Sequence, residues 1–319
     1  MVMDALVGFT GFVGNSLRGQ HEFGGLFNRS NIAGAVDRTF GTVVCAAAPG
    51  SMFTANRFPE QDAAAMGALM ERLAPIRAER FVLISSIAVL DRFDGGDDET
   101  STRFQTALAY GRNRRALEEF CVERFPRCLI VRLPALFGPG LRKNFLFDIL
   151  NPMPAMLTEP RLAELAEALP AGLRPGLAGI YRPEPATDLH VIDRAALEAS
   201  GRRPAYDAAV SAAGMEAVRF THPDSRFQYY DMSRLWADIG LCLGAGLDLI
   251  HLAPEPLEAG AIHRALTGRP MPPSQARIHR EDLRTRHAAL WGRTGPHIAS
   301  AGEVLAGLRR FFAAERAAA

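Results

Sequence analysis

Short apolar runs alternate with amphipathic stretches through the first half of the chain. Runs such as Ala5-Leu6-Val7 are typical of strands that are buried on both faces. The stretches between the runs repeat apolar residues three and four positions apart, which predicts helices. Strands separated by helices imply crossover connections and a parallel sheet. The predicted strands span residues 4–8, 25–28, 42–47, 80–85 and 128–133, and the predicted helices span residues 14–20, 59–73 and 107–125.

The connection between the second and third predicted strands is unusually short. Only the residues between Arg29 and Val43 are left for it. A complete helix and a further strand need a longer segment. We therefore expect the next strand of an ordinary doubly wound sheet, together with its crossover helix, to be trimmed or missing.

A glycine-rich turn follows the first predicted strand. Residues 7–14 read VGFTGFVG, which places three glycines in GxxGxxG spacing before a helical run from Asn15. A strand-to-helix turn of this composition brings backbone N–H groups against a pyrophosphate. A glycine triplet alone is weak evidence. The candidate cofactor contacts in the turn are Gly8, Thr10, Gly11, Phe12, Val13 and Gly14.

Three further motifs follow this turn. Ser85 and Ser86 end the fourth strand, Tyr110 opens a helix with Arg114 four residues later, and residues 131–140 read VRLPALFGPG. Each motif alone also fits an ordinary strand end or helix surface. In this order and spacing they resemble the extended short-chain dehydrogenase/reductase superfamily, in particular its nucleotide-sugar epimerase/dehydratase branch. The resemblance covers residues 4–145 well and continues weakly through residues 226–267.

The resemblance implies catalytic roles for three residues. Ser86 would polarise the substrate oxygen, and Tyr110 would give or take the hydroxyl proton. A free tyrosine has a pKa near 10, so a nearby cation must favour its phenolate. The family has a lysine four residues after the tyrosine, which also binds the nicotinamide ribose. This chain has Arg114 at that position.

Three interpretations of Arg114 remain open. In the first, the protein is an active enzyme with a shifted pH optimum. In the second, it binds a cofactor but has very weak catalytic activity. In the third, the arginine is purely structural. An arginine stays charged and offers several donors, but its planar head is larger than an ammonium group. Because Lys143 is the only lysine among 36 basic residues, the replacement is weak evidence of lost function.

The second strand ends without an acidic residue, which bears on the choice of cofactor. NAD-preferring members carry an acid there that accepts hydrogen bonds from the adenine ribose. Arg29 and Ser30 would instead bind a 2′-phosphate, which favours NADP over NAD. The alternative is that Arg29 is a solvated loop residue. By the same resemblance, the other candidate cofactor contacts are Asn28, Ala46, Ala47, Ala48, Ser85, Tyr110, Arg114, Leu133 and Leu136.

The alternation of strand-like and helix-like runs becomes less regular after the motif at residues 131–140. Prolines and glycines interrupt short helical pieces from about residue 145 to residue 230, and strand-like runs cover residues 179–182 and 226–231. A helix at 233–243, a buried strand at 247–252 and helices at 258–266 and 301–313 follow. We predict an α/β fold, a Rossmann-type doubly wound parallel sheet with a smaller C-terminal substrate domain. The dinucleotide-binding domain would span residues 1–145, with 226–255 returning to it, and the smaller domain would span 146–225 and 256–319.

Composition narrows the classes of partner. A net charge of +1 provides no field for nucleic acid, and no apolar run is long enough to span a bilayer. The eight histidines have no metal-ligand spacing, so we expect no metal. The four cysteines predict buried thiols in a reducing compartment. The chain leads directly into its first strand, so we expect a cytoplasmic protein without a signal peptide.

The leading hypothesis is an NAD(P)-dependent oxidoreductase or epimerase that acts on a sugar or nucleotide sugar by hydride transfer. Arg142, Asn144 and Arg226 are candidate substrate contacts, with ion pairing or strand packing as equal alternatives. The family resemblance also implies a homodimer formed through helices 59–73 and 107–125. The alternative hypothesis is a non-catalytic dinucleotide-binding protein, a sensor or assembly partner derived from the same family.

Overall fold

The computed structural model describes residues 3–318 of the chain. The strands are β1 (Ala5–Val7), β2 (Gly25–Phe27), β3 (Thr39–Cys45), β4 (Arg77–Ser86), β5 (Cys128–Leu133), β6 (Ala135–Phe137), β7 (Met156–Leu157), β8 (Tyr181–Glu184), β9 (Leu189–Ile192), β10 (Arg226–Phe227), β11 (Tyr229–Asp231), β12 (Leu249–His251) and β13 (Leu257–Glu258). The helices are α1 (Phe12–Arg18), α2 (Met52–Arg57), α3 (Pro59–Leu73), α4 (Ala109–Arg124), α5 (Phe145–Leu150), α6 (Glu159–Ala168), α7 (Leu177–Ile180), α8 (Arg194–Ala199), α9 (Arg203–Ala212), α10 (Leu235–Gly244), α11 (Ala259–Thr267) and α12 (Ala301–Ala318).

The chain forms two compact units. The first comprises the described residues up to Leu141, together with Arg226–Leu257 and Arg280–Glu315. The second comprises Arg142–Ser225, Glu258–His279 and the described residues from Arg316 onward. No sequence motif indicated that the segment from Arg280 packs with the first unit. Within residues 3–318, no helix combines the length and the apolar character needed to cross a membrane.

The first unit is built on a six-stranded parallel sheet in the order β12-β5-β4-β3-β1-β2. This confirms the predicted α/β fold with a parallel sheet. The expected trimming is also confirmed, because a single 3₁₀ turn, Ile32–Ala35, lies between β2 and β3. Strand β2 consequently lies at one edge of the sheet in the described chain, and β12 lies at the other.

Apolar residues on both faces of the sheet explain why its strands form where they do. Val43 and Val44 point to opposite faces of the sheet and both are fully buried, and Met66 and Leu73 of α3 pack in the same core cluster as Val43. All four cysteines are free and buried, as predicted. Burial raises the pKa of the Cys45 thiol to about 11, so it stays protonated at neutral pH.

The second unit has its own small core. Strands β7, β9 and β8 form an antiparallel sheet in that order. The hydroxyl of Tyr181 donates to the carbonyl of Pro154 at 2.7 Å, and that of Tyr206 donates to the carbonyl of Leu173 at 2.7 Å. The strand-like run at residues 179–182 is only partly a strand, because helix α7 extends to Ile180 and β8 begins at the next residue.

Candidate active site

The glycine turn is held tightly between the ends of neighbouring strands. Gly8 has a φ of +91°, and a Cβ added to it would lie 2.6 Å from the carbonyl carbon of Ala46. Its N–H donates to the carbonyl of Phe27 at 2.7 Å. Only glycine fits this position, because the turn passes directly over the end of β3.

The other two glycines of the turn differ from each other. A Cβ on Gly14 would lie 2.1 Å from the carbonyl oxygen of Gly8, so the packing of α1 on the turn excludes any side chain there. A Cβ on Gly11 would lie 3.5 Å from the same oxygen, which is an ordinary contact. Gly11 also has extended backbone angles that any residue can adopt. The protein's own packing therefore leaves room for a side chain at position 11, which is the N-cap of α1.

Ser86 lies at the carboxyl end of β4. Its Oγ accepts a hydrogen bond from the N–H of Ala88 at 3.2 Å and caps the 3₁₀ turn that follows the strand. In the parallel register, Ser86 is opposite Leu133 of β5. The predicted nicotinamide-side residue Leu133, which is buried, and the predicted catalytic serine are therefore neighbours at the carboxyl end of the parallel strands.

Helix α4 brings Tyr110 to the same region. The N–H of Tyr110 donates to the side-chain oxygen of Asn56 at 2.9 Å, which satisfies one of the free donors at the start of the helix. A Cβ on Gly111 would lie 2.0 Å from the carbonyl oxygen of Ala88. The helix backbone beside Tyr110 therefore packs directly on the turn that Ser86 caps.

Arg114 is buried beneath Tyr110. Its guanidinium carbon is 4.0 Å from the centroid of the Tyr110 ring, within the range of a cation–π interaction. One terminal nitrogen donates to Asp62 Oδ2 at 2.5 Å, and the other donates to the carbonyl oxygen of Pro49 at 2.5 Å. The side chains of Arg114 and Asp62 are 3% and 5% exposed, so this is a water-excluded ion pair.

A second buried network lies at the carboxyl edge of β4 and β5. Glu118 accepts from Ser85 Oγ at 2.6 Å and forms a two-point ion pair with Arg132, at 2.9 and 2.6 Å. The side chains of Glu118 and Arg132 are each 1% exposed. This network anchors α4 to the strand end that carries Ser85.

His251 continues the network from β12. Its Nε2 is 3.2 Å from Arg132 Nη1, and its Nδ1 is 3.1 Å from the carbonyl oxygen of Arg284. A guanidinium can only donate, so Nε2 must accept and the proton must sit on Nδ1. Burial, followed by the neighbouring Arg132 cation, lowers the pKa of His251 against the attraction of Glu99.

Sequence reasoning missed Asp62 and Glu118, although a signal for each was present. Asp62 shares one face of α3 with Met66, Leu69 and Leu73, at the spacing of a buried stripe. A charged residue on such a stripe needs a buried partner. Glu118 lies next to buried Leu117 in α4 and carries the same signal.

The end of β2 forms a compact polar loop. Asn28 Oδ1 accepts from the N–H and the hydroxyl of Ser30, at 2.9 and 2.6 Å, and the Asn28 N–H donates to Asn31 Oδ1 at 2.7 Å. Arg29 is exposed and forms no ion pair with any described residue. The loop thus presents one unneutralised cation beside the edge strand.

The remaining predicted cofactor contacts are partly accessible. They are Phe12, Val13, Ala46, Ala47, Ala48 and Leu136, which are half-buried, and Thr10, which is exposed.

The predicted substrate residues are divided between the units. Arg142 is exposed in the second unit, and Asn144 in the same unit caps α5, with its Oδ1 accepting from the N–H of Leu146 at 3.0 Å. Arg226 opens β10 in the first unit, where it forms an isolated β-bridge with Arg280. A capping role for the Asn144 side chain was not predicted.

Among residues 3–318, no group of three or more His, Cys, Asp or Glu side chains is arranged to hold a metal ion.

No protein-family model matches the chain, and no curated protein matches it by sequence. Solved structures match it over nearly the whole length. MoeE5 in complex with UDP-glucuronic acid and NAD is 16% identical, with 99% of this chain and 100% of that chain covered and a TM-score of 0.60. dTDP-4-dehydrorhamnose reductase from Bacillus anthracis in complex with NADP is 14% identical, with 98% of each chain covered and a TM-score of 0.61.

A third similar structure is UDP-N-acetylglucosamine 4-epimerase from Methanobrevibacter ruminantium in complex with UDP-N-acetylmuramic acid. It is 11% identical, with 98% of this chain and 97% of that chain covered and a TM-score of 0.62. At these identities the likeness concerns the fold. The chain has the fold of the extended short-chain dehydrogenase/reductase enzymes, and the resemblance drawn from its motifs is confirmed at that level.

Proposed function

We propose that the protein is an NAD(P)-dependent oxidoreductase or epimerase that acts on a hydroxyl or carbonyl group of a sugar or nucleotide sugar. The observation that carries the proposal is the packing of the Tyr110 end of α4 on the turn capped by Ser86. The similar structures contain NAD, NADP or nucleotide sugars, which supports the same class of ligand here.

The glycine turn fits a dinucleotide. Gly8 and Gly14 bring the backbone of β1, α1 and the end of β3 together, and Gly11 keeps a position free that the protein itself would allow a side chain to fill. Backbone N–H groups in such a turn bind pyrophosphate oxygens. The half-buried Ala46 to Ala48 segment borders the same turn.

When bound, the nicotinamide supplies or accepts a hydride at the substrate carbon. Ser86 holds the substrate oxygen by donating its hydroxyl hydrogen. Tyr110 gives a proton to that oxygen in reduction, or takes one from it in oxidation. The guanidinium of Arg114 packs against the Tyr110 ring and holds that ring in position.

The exposed Arg29 supports NADP as the preferred cofactor. A 2′-phosphate carries two negative charges near neutral pH, and a guanidinium binds such a group through charge-assisted hydrogen bonds. The Ser30 hydroxyl, close by in the same loop, offers a further polar contact. NAD has no phosphate there, so Arg29 would add little to its affinity.

The first experiment is a fluorescence titration of the purified protein with NADPH and NADH. We expect NADPH to bind more tightly, and Arg29→Ala to weaken NADPH binding about tenfold or more without changing the affinity for NADH. Arg72→Ala, which removes an exposed arginine from α3, is the matched control and should leave both affinities unchanged. A folded protein that binds neither nucleotide would contradict the proposed function.

The non-catalytic alternative has one observation in its favour. Both terminal nitrogens of Arg114 already have protein partners, in Asp62 and Pro49. A protein that binds NADPH but turns over no member of a panel of UDP- and dTDP-linked sugars would fit this second function.

A further inference from the structure

Glu118, in the middle of α4, accepts hydrogen bonds from two neighbouring strands of the sheet. From β4, the hydroxyl of Ser85 donates to Glu118 Oε1 at 2.6 Å. From β5, Arg132 donates to both carboxylate oxygens, at 2.9 and 2.6 Å. One buried carboxylate therefore ties the helix that carries Tyr110 to the ends of two strands.

The hydroxyl of Ser85 is committed to this contact. A serine hydroxyl has a single hydrogen to donate, and that of Ser85 goes to Glu118. Hydrogen bonds to an ionised carboxylate are stronger than those between neutral groups. Ser85 as a whole is only 9% exposed. Its hydroxyl hydrogen is therefore used within the protein and not offered to a cofactor.

Helix α4 touches the end of β4 at a second point. An added Cβ on Gly111 would lie 2.0 Å from the carbonyl oxygen of Ala88, so the two backbones are in direct contact there. Residues 111 and 118 are about 10 Å apart along the helix axis. A helix fixed to the strand end at two points this far apart can neither slide nor tilt freely against it.

The two candidate catalytic residues lie beside these two points. Ser86 directly follows Ser85 and is two residues before Ala88. Tyr110 directly precedes Gly111. The separation between Ser86 and Tyr110 is therefore set by both contacts together, one between backbones and one through Glu118.

We propose that Glu118 is a positioning residue for the proposed reaction and that its hydrogen bond with Ser85 holds Tyr110 and Ser86 at the distance that the reaction needs. Ser85 then acts through Glu118 and does not touch the dinucleotide, in contrast to the cofactor contact that its place in the sequence predicts. This inference rests on the proposed function, because the distance matters only if Tyr110 and Ser86 act on one substrate oxygen.

The carboxylate of Glu118 is itself held in place. Arg115 Nη1 donates to its Oε2 at 3.1 Å, and Arg132 Nη1 lies 3.2 Å from His251 Nε2 of β12. Both arginines keep these partners when Ser85 loses its hydroxyl. Ser85→Ala therefore breaks one hydrogen bond and leaves the buried charges paired, which makes it a mild substitution for stability.

The test is a cycle of four proteins: wild type, Ser85→Ala, Glu118→Asp and the double variant. Glu118→Asp keeps the negative charge beside Arg132 and withdraws the carboxylate by one methylene. NADPH affinity is measured by fluorescence titration and stability by thermal unfolding. The kinetic constants kcat and KM are measured with a nucleotide sugar that the wild type turns over.

We expect each single variant to lower kcat about tenfold or more and to leave KM and NADPH affinity unchanged, since the contact places groups that act in the reaction step. The double variant should be no slower than the slower single variant, because both substitutions break the same contact.

Tyr206→Phe is the matched control. It removes a buried hydroxyl that donates to the carbonyl of Leu173 at 2.7 Å in the second unit, so it also breaks one buried hydrogen bond. It should lower stability and leave kcat unchanged.

A wild-type kcat in Ser85→Ala, losses that multiply in the double variant, or an equal loss of kcat in Tyr206→Phe overturns the positioning role while the proposed function stands. Weaker NADPH binding by Ser85→Ala also overturns it, because Ser85 would then touch the cofactor. If Glu118→Asp does not fold, the comparison of Ser85→Ala with Tyr206→Phe decides alone. A folded wild type that turns over no nucleotide sugar overturns the proposed function, and the positioning role with it.

Discussion

The carbonyl oxygen of Ala88 leaves no room for a side chain at Gly111, because an added Cβ would lie 2.0 Å from it. Ala88 is two residues beyond Ser86, and Gly111 directly follows Tyr110. The distance between the two candidate catalytic residues thus depends on a contact between backbone atoms. Any group larger than hydrogen at position 111 must push α4 away from the end of β4.

Gly111→Ala is expected to lower both stability and activity. Alanine in a helix is ordinarily favourable by about 0.5–1 kcal/mol relative to glycine. Here the overlap with Ala88 should reverse the sign and destabilise the protein by about 1–3 kcal/mol. Turnover should fall further than the loss of folded protein explains, because Tyr110 moves. Denaturant unfolding and steady-state kinetics check the two effects.

Gly67→Ala is the matched control for that prediction. Gly67 lies within α3, and an added Cβ there would have no heavy atom within 4 Å. It should stabilise the protein by about 0.5–1 kcal/mol and leave kinetics unchanged. Equal effects of the two alanines on stability would contradict the close contact at Ala88.

Alanine substitutions at Gly11 and Gly14 are expected to differ in effect, with Gly14→Ala lowering mainly stability and Gly11→Ala lowering mainly NADPH affinity. A Cβ on Gly14 would overlap the Gly8 carbonyl, so Gly14→Ala should destabilise the protein by about 1–3 kcal/mol. Gly11→Ala has room and an ordinary backbone conformation, so it should cost only the weaker N-cap preference of alanine, about 1 kcal/mol or less. Its NADPH affinity should nevertheless fall about tenfold or more, because the pyrophosphate must approach this backbone closely.

Thermal unfolding and NADPH titration of both variants check this difference. If Gly11→Ala binds NADPH as tightly as the wild type, the pyrophosphate does not lie against Gly11. The assignment of the turn as the dinucleotide site would then be wrong.

Features encoded by neighbouring residues were predicted well from the sequence. Helix α3 spans Pro59–Leu73, as predicted, since proline suits a first helical turn and an apolar stripe follows it. Strand β5 also has its predicted bounds, because every residue of Cys128–Leu133 except Arg132 is apolar. The trimmed connection after β2 followed from chain length alone.

Contacts between distant residues were not predicted. Arg114 was assigned to the site by its spacing from Tyr110, but its partner Asp62 lies 52 residues away in the chain. The Arg132–His251 contact joins residues 119 apart. Which buried charges meet depends on how helices pack on the sheet, and a single sequence shows only that each buried charge needs a partner.

Tyr110→Phe is expected to abolish turnover and to leave dinucleotide binding largely intact. The substitution removes the hydroxyl that gives or takes the proton, and it keeps the ring on which Arg114 stacks. General acid–base catalysis contributes about 10²–10⁴-fold, so the rate should fall by at least that factor. Kinetics with NADPH and nucleotide-sugar substrates measure the loss, and the NADPH titration is the internal control. Persistent turnover would mean that another group moves the proton.

His251 gives the protein a predictable dependence of stability on pH. Its Nε2 faces the donor Nη1 of Arg132 at 3.2 Å, so protonation would set two donors against each other. Burial lowers the pKa of His251, while an unfolded histidine titrates near 6.5. Below about pH 6.5, His251 is protonated in the unfolded chain but stays neutral in the folded protein. Stability is therefore fully present above about pH 6.5 and is lost as the pH falls.

His251→Gln should weaken this dependence, since the glutamine oxygen can accept from Arg132 but cannot be protonated. The slope contributed by one histidine is at most about 1.4 kcal/mol per pH unit. Burial also lowers the pKa of His263 and His297, so part of the wild-type slope should remain in the variant. The free energy of unfolding, measured by denaturant titration between about pH 5 and 8, checks the prediction, with His222→Gln as the control on a less buried histidine. If the variant and the wild type lose stability in parallel on acidification, His251 is not neutral in the folded protein, and the acceptor role assigned to Nε2 is wrong.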